Sequence, residues 1–334
     1  MRISYTPKLA MILTTLLLVP AATSLSEEIK IPSVTRLGDG PIITQNMDDR
    51  MGGSVQGPSL IRVPDWIENP LGKYYLYFAD HRGTYIRLAY ADDLLGPWKI
   101  HEPGSLQLDE SLFPTSLPPT QPGTDYPQYA HIASPDVHVR EDLQQIVMYV
   151  HGQDPGKGAG RQITRLATSK DGVNFVGKPE VFGRPYFRVI QHDGYSYALA
   201  MPGYFYRSRS GLNDFETGPR LFNDDMRHSA LLIRDQTMYV FWTQVGHAPE
   251  RILLSTINLQ DDWHTWQATE ATEILRPVLD WEGADLDIEA SIRGYIDVRS
   301  NQLRDPAIFR EGDDIYLLYA VAGESGIAIA RLSF

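Results

Sequence analysis

Short apolar runs, separated by turns containing Asp or Gly, recur along the chain in a fixed order. "GPSLIRV" is followed by a turn and "KYYLYFADH"; "SPDVHVRED" by "IVMYVHG"; "YFRVIQHDG" by "YSYALAMPG"; "HSALLIRDQ" by "TMYVFWTQVG"; and "PAIFREGDD" by "IYLLYAVAG". Each pair reads as two strands rich in β-branched and aromatic residues around a tight turn, the signature of a hairpin. A third strand follows each pair: "YIRLAYA", "ITRLATS", "YFYRSRS", "RILLSTI" and "IAIARL". In the first four units an acidic turn and an aromatic come next, as in "DDLLGPW", "KDGVNF", "GLNDF" and "LQDDW". The fifth unit ends at Phe334, so the pattern predicts that "EEIKIPSVTRL", near the start, supplies its outer strand. That would close a ring and cover two sheet edges.

Repetition of this kind with no amphipathic helix predicts an all-β fold, a five-bladed β-propeller of four-stranded antiparallel blades. A pair of β-sandwiches is the alternative, but a sandwich does not require such regular units. The 23 prolines also oppose long helices. No linker interrupts the pattern, so residues 26–334 read as a single domain. Residues 100–130, Pro-rich and without periodicity, read as an excursion between blades lying over one face, and 268–302 as a second insertion.

The first 25 residues differ. Arg2 and Lys8 precede "LAMILTTLLLVPAA" and the small residues "ATS", which is the layout of a secretory signal peptide. Cysteine is absent, so an exported chain would owe its stability to its core rather than to disulfides. The expected location is periplasmic or extracellular. The formal charge is −12, and near −14 once Arg2 and Lys8 leave with the signal. That balance argues against nucleic acid, which needs a basic face, and against an anionic membrane surface. The protein is expected to be a monomer or weak dimer.

In a propeller the innermost strands converge on one axis, so their first residues meet although they are distant in sequence. Aligning the units puts Gly57, Ser134, Arg184, Arg227 and Asp305 in one column, with Asp136 two residues further in and His131, Tyr186, Arg188 and His228 beside it. Here the chain resembles the five-bladed glycoside hydrolases of families 43, 32 and 117. The resemblance rests on Asp-Pro or Pro-Asp at the head of an inner strand, then "KYYLYFADH", then "YADDLLGPW". It implies a glycosidase whose partner is an oligosaccharide or polysaccharide; the leader makes it a secreted one, and the narrow funnel of a five-bladed ring suits action from the end of the chain.

Glycosidic cleavage needs one group to protonate the leaving oxygen and one to act as base or nucleophile. Family 43 implies an Asp base on blade one, a second Asp that tunes pKa, and a Glu acid. This chain departs from that pattern, because Gly57 stands where the base is wanted; Asp48 and Asp49 lie just upstream. The catalytic candidates are Asp136, Asp305 and Glu250, with His228 or His131 as acid, as the likeness to family 117 implies. The competing readings are structural. Asp at a strand head accepts from nearby amides. Glu250 and Arg251 read equally as an exposed turn, and Asp92, Asp171, Asp214 and Asp262 as turn residues.

The substrate-binding candidates are Arg50, Gln56, His81, Arg184, Tyr204, Arg227, Glu289 and Arg304. Arginines at blade starts suit a uronate or a sulfate if they face the ligand, and acidic neighbours if they do not. A polysaccharide lyase, with Tyr204 or His228 as base, and a non-catalytic sugar-binding propeller are the other functions carried forward. No cofactor is required. His spacing gives no metal motif, and a structural Ca²⁺ in the central channel stands as an expectation without a motif behind it.

Overall fold

Residues 1–4, 30–116, 129–154 and 161–334 are described by the structure, a computed structural model. The expected signal peptide falls largely on residues 5–29, outside the described residues. From Pro32 to Phe334 the chain forms one compact unit of five antiparallel sheets. Their innermost strands are Gln56–Arg62, Ile132–Arg140, Arg188–His192, Met226–Arg234 and Arg304–Glu311, which head blades one to five. Blades one to four run outward in chain order, and blade five does so apart from its outermost strand, so the five-bladed propeller is as expected. Helical structure among the described residues is limited to five single 3-10 turns. None is long and apolar enough to cross a membrane.

The apolar runs are continuous because each middle strand is buried on both faces. In blade one, Tyr75, Tyr77 and Ala79 pack against Ile146, Met148 and Val150 of blade two. The alternate residues Tyr74, Leu76 and Phe78 pack against Phe309, Tyr316 and Leu318 of blade five. Similar clusters fill the remaining blade interfaces. Each large apolar side chain so buried contributes roughly 1.5–3 kcal/mol, which is how a chain without cysteine is held.

Closure follows the expected route. Ser33–Arg36 pairs antiparallel with the last strand, Gly326–Ser333, from Ser33 opposite Ser333 to Arg36 opposite Ala330. Arg36 then donates from Nε to Glu282 Oε1 at 2.7 Å and from Nη2 to Oε2 at 2.9 Å. The acidic turns behave as local caps: Asp171 accepts from the Val173 and Asn174 amides, and Asp262 from the His264 amide.

Two segment boundaries shift. The stretch from residue 100 opens as the outer strand of blade one, Lys99–Gln107, before any excursion begins. Residues 117–128 lie outside the described residues. The second insertion likewise contains the outer strand of blade four, Thr272–Leu275. Both strands lack the regular alternation of buried and exposed positions that would mark them in the sequence.

Candidate active site

Four of the five inner strands carry one extra residue near their start. The register slips between Gln56 and Ser59, Ala133 and Asp136, Met226 and Ser229, and Arg304 and Ala307. Such bulges re-aim side chains at the rim of a sheet. They also define the column by geometry: Gly57, Ser134, Arg227 and Asp305 each precede by two the residue where regular pairing resumes. In blade three that residue is Arg188, opposite Leu199, so the column position is Tyr186. Arg184, aligned there from sequence, is two residues too early, since blade three's inner strand starts later than the repeat suggested. Backbone angles agree. Gly57, Ser134, Tyr186 and Asp305 have φ of +63°, +48°, +64° and +46°. Ser134, Tyr186 and Asp305 are thus non-glycine residues held in left-handed backbone at one level, a conformation that the surrounding structure must enforce.

A cavity of about 930 Å³ opens beside this level. Its lining includes His81, His131, Tyr186, Arg227 and His228, and no Asp or Glu among the described residues. The carboxylates stand one layer behind. His81 Nδ1 lies 2.9 Å from Glu324 Oε2, which puts its hydrogen on Nδ1. His228 Nε2 lies 3.3 Å from Asp305 Oδ1, and its Nδ1 accepts from the Asp305 amide at 3.2 Å. Arg227 Nη1 lies 3.5 Å from Glu250 Oε2. Arg304, fully buried, joins the set, 3.4 Å from Glu250 and donating to Glu324 at 2.8 Å. Gln302 Oε1 accepts from the same guanidinium.

The two His-backing carboxyls are shifted in opposite directions. Burial disfavours the charge of Glu324, but His81, Arg304 and Arg227 outweigh it and hold its carboxyl down at about 2. Burial, and then the negative charge of Glu324, push Asp305 up to about 7. Neither Asp305 oxygen has a hydrogen-bond partner within the described residues. Burial, then Arg227 and Arg304, keep the His228 imidazole well below its ordinary range, so it is neutral. Burial also pulls His131 down to about 4. Rings continue round the wall: His131 to His151 at 5.9 Å, His151 to Tyr186 at 4.2 Å, and Tyr186 to His228 at 5.3 Å.

Of the catalytic candidates, His131 and His228 line this cavity, and Asp305 and Glu250 stand behind it. Glu250 is buried between two arginines, not in an exposed turn. Asp136 is elsewhere. It lines a separate pocket of about 630 Å³ with Asp65, Trp66 and His138. Its Oδ2 is 2.7 Å from His138 Nε2 and accepts from the Val189 amide at 2.7 Å. That is the strand-head acceptor, and its carboxyl is held low: burial opposes, but His138 and Arg188 prevail.

Among the binding candidates, His81, Arg184 and Arg227 line the cavity and Arg304 lies behind it. Gln56 is buried, its Oε1 accepting from Ser134 Oγ. Tyr204 is outside the lining and supports Arg184, whose guanidinium lies 4.2 Å over its ring. Arg50 and Glu289 are corrected outward: Arg50 is exposed and paired with Asp48, and Glu289 is exposed. Glu324 was missed. In "VAGES" it resembles any hairpin-turn acid, and only the fold brings it under His81.

Gly57 cannot be the Asp that family 43 implies. A Cβ there would lie 2.7 Å from Ser134 Cα. For a metal, the described residues offer no group of three or more His, Asp or Glu arranged to hold one. The carboxylates here are met by guanidinium and imidazole groups.

Solved structures agree on the fold. A thermostable family-43 glycoside hydrolase aligns with a TM-score of 0.55 at 14% identity, over 84% of this chain and 90% of that one. An exo-β-1,3-galactanase from Phanerochaete chrysosporium, crystallised with β-1,3-galactotriose, aligns with a TM-score of 0.55 at 12% identity. That match covers 89% of this chain and 64% of the galactanase. No protein-family model matches. A curated relative is much nearer: uncharacterized protein R118 of Acanthamoeba polyphaga mimivirus is 36% identical over 306 residues, 84% of this chain and 83% of its own. At that identity and coverage, the chain belongs to the same family as R118.

Proposed function

We propose that this is a secreted glycoside hydrolase that removes sugar from the end of an oligosaccharide. One observation carries the reading: two imidazoles, His81 and His228, line the cavity, and each is backed by a buried carboxyl, Glu324 and Asp305. Environments that push two carboxyl groups apart assign an acid and a base. Ionised Glu324 holds the hydrogen of His81 on Nδ1, leaving Nε2 as an acceptor for a proton from water. Asp305, protonated up to about pH 7, is the proton source behind His228. In cleavage, water attacks the anomeric carbon and gives its proton to His81 Nε2, the glycosidic C–O bond breaks, and the leaving oxygen takes the proton that Asp305 releases as it becomes a carboxylate beside His228. The likeness to solved hydrolases supports the frame, and a cavity of about 930 Å³ suits a short glycan end.

The cavity lining, with arginine and, among the described residues, without carboxylate, favours a second reading: a lyase that eliminates across a uronate, with His81 or His228 as base. One assay on an oligosaccharide panel separates them. A hydrolase yields new reducing ends without ultraviolet absorbance; a lyase yields an absorbing double bond. On the hydrolase reading, Asp305→Asn and His81→Gln each lower kcat/KM by roughly 10²–10⁴. Wild-type rates for either variant would end the assignment.

A further inference from the structure

The charges around the cavity do not cancel, and the surplus has one address. Arg227 and Arg304 face Glu250 and Glu324, so the inner set is balanced. Two further arginines of the lining have acidic neighbours: Arg161 lies 3.5 Å from Asp154, and Arg293 lies 3.2 Å from Asp225. Arg184 lines the same cavity, is exposed, and has no ion-pair partner among the described residues. It is nonetheless placed. Its guanidinium lies 4.2 Å over the Tyr204 ring, and its own carbonyl accepts from Thr164 Oγ1 at 2.7 Å. Stacking on Tyr204 orients the planar fork and leaves its edges free. In a protein of formal charge −12, an oriented arginine in a cavity whose described lining has no acid is a counter-ion awaiting its anion.

We propose that the sugar taken by this cavity is anionic, carrying a carboxylate or a sulfate, and that Arg184 recognises that group. The proposal rests on the cavity being the glycan site, and it holds for a hydrolase or a lyase alike. The fork of Arg184 would meet two oxygens of the anion in parallel, which Lys cannot reproduce. Tyr206 and Tyr295 belong to the same lining.

The test is calorimetric binding of three matched oligosaccharides, one neutral, one ending in a uronate and one sulfated, to wild type, Arg184→Gln and Arg184→Lys. Wild type should bind at least one anionic ligand at least about tenfold more tightly than the neutral one, and Arg184→Gln should abolish that preference. Arg184→Lys should recover only part of it. The two anionic arms tell carboxylate from sulfate. High salt, applied to wild type alone, should weaken anionic binding and spare neutral binding, which keeps the test valid should a variant misfold. Equal binding of all three ligands by wild type, or a preference kept by Arg184→Gln, overturns the proposal. Failures remain distinguishable. Arg184-dependent binding without cleavage would sink the enzyme reading and leave this one. Cleavage of neutral glycans without anionic preference would do the reverse.

Discussion

Arg304 Nη1 donates to Glu324 Oε1 at 2.8 Å, and both side chains are sealed from solvent. The same guanidinium lies 3.4 Å from Glu250, so one cation holds two buried carboxylates behind the cavity wall. Removing it would leave both without their shared counter-charge. Arg304→Met should therefore cost roughly 3–5 kcal/mol of unfolding free energy, the penalty of a buried charge stripped of its partner. Urea denaturation measures it. A loss below about 1 kcal/mol would mean that water already compensates these carboxylates.

Asp305 and Glu324 make opposite demands on pH. Asp305 keeps a proton to about pH 7 when folded, but only to about 4 when unfolded. The folded state thus binds more protons in that window, and its stability falls as pH rises through it, by up to about 1.4 kcal/mol per unit. Glu324, held at about 2, contributes stability present above its ordinary value and lost as pH falls below it. Asp305→Asn should flatten the slope between pH 4 and 7 and leave the acid limb unchanged. Melting temperature against pH shows both. An unchanged upper slope in the variant would place the titration on another group.

How far the site could be read from sequence depended on the kind of signal. The blades, their order and the closing strand follow from period and from runs buried on two faces, which residues such as Tyr74 and Tyr75 advertise directly. Asp305, His131, His228 and Arg227 were found because the repeat superposes strand starts. The bulges were invisible, so Arg184 was aligned where Tyr186 stands. Asp136 shared the right level but turns toward another pocket, since a bulge decides which way a strand-head side chain points. Glu324 lies in a turn between two strands, where no local pattern separates a buried acid from a solvated one.

Gly57 carries a second consequence of the bulges. Its φ is +63°, and a Cβ would approach Ser134 Cα to 2.7 Å, a backbone atom that cannot swing aside. Gly57→Asp, the change that would restore the pattern of family 43, should not create a better hydrolase. It should destabilise the protein by about 2–4 kcal/mol, from a left-handed non-glycine residue and overpacking together. Denaturation midpoints and activity decide the point. A stable and faster Gly57→Asp enzyme would show that blades one and two can part at the axis.

Closure of the ring should depend on Arg36 more than on its four-residue strand. Arg36 makes two bonds to Glu282, whose side chain is fully buried and also accepts from the Val278 amide and Tyr319 Oη. Arg36→Ala leaves that carboxylate, in the turn between blades four and five, buried and uncompensated, at a cost of roughly 3–5 kcal/mol. The cost should fall in the double variant Arg36→Ala, Glu282→Gln, because a neutral amide needs no counter-charge. Loosening Ser33–Arg36 also bares the edge of Gly326–Ser333, so the single variant should self-associate at high concentration, which light scattering detects. If Glu282→Gln brings no recovery, the penalty of Arg36→Ala comes from lost strand pairing, and charge burial is not what holds the ring shut.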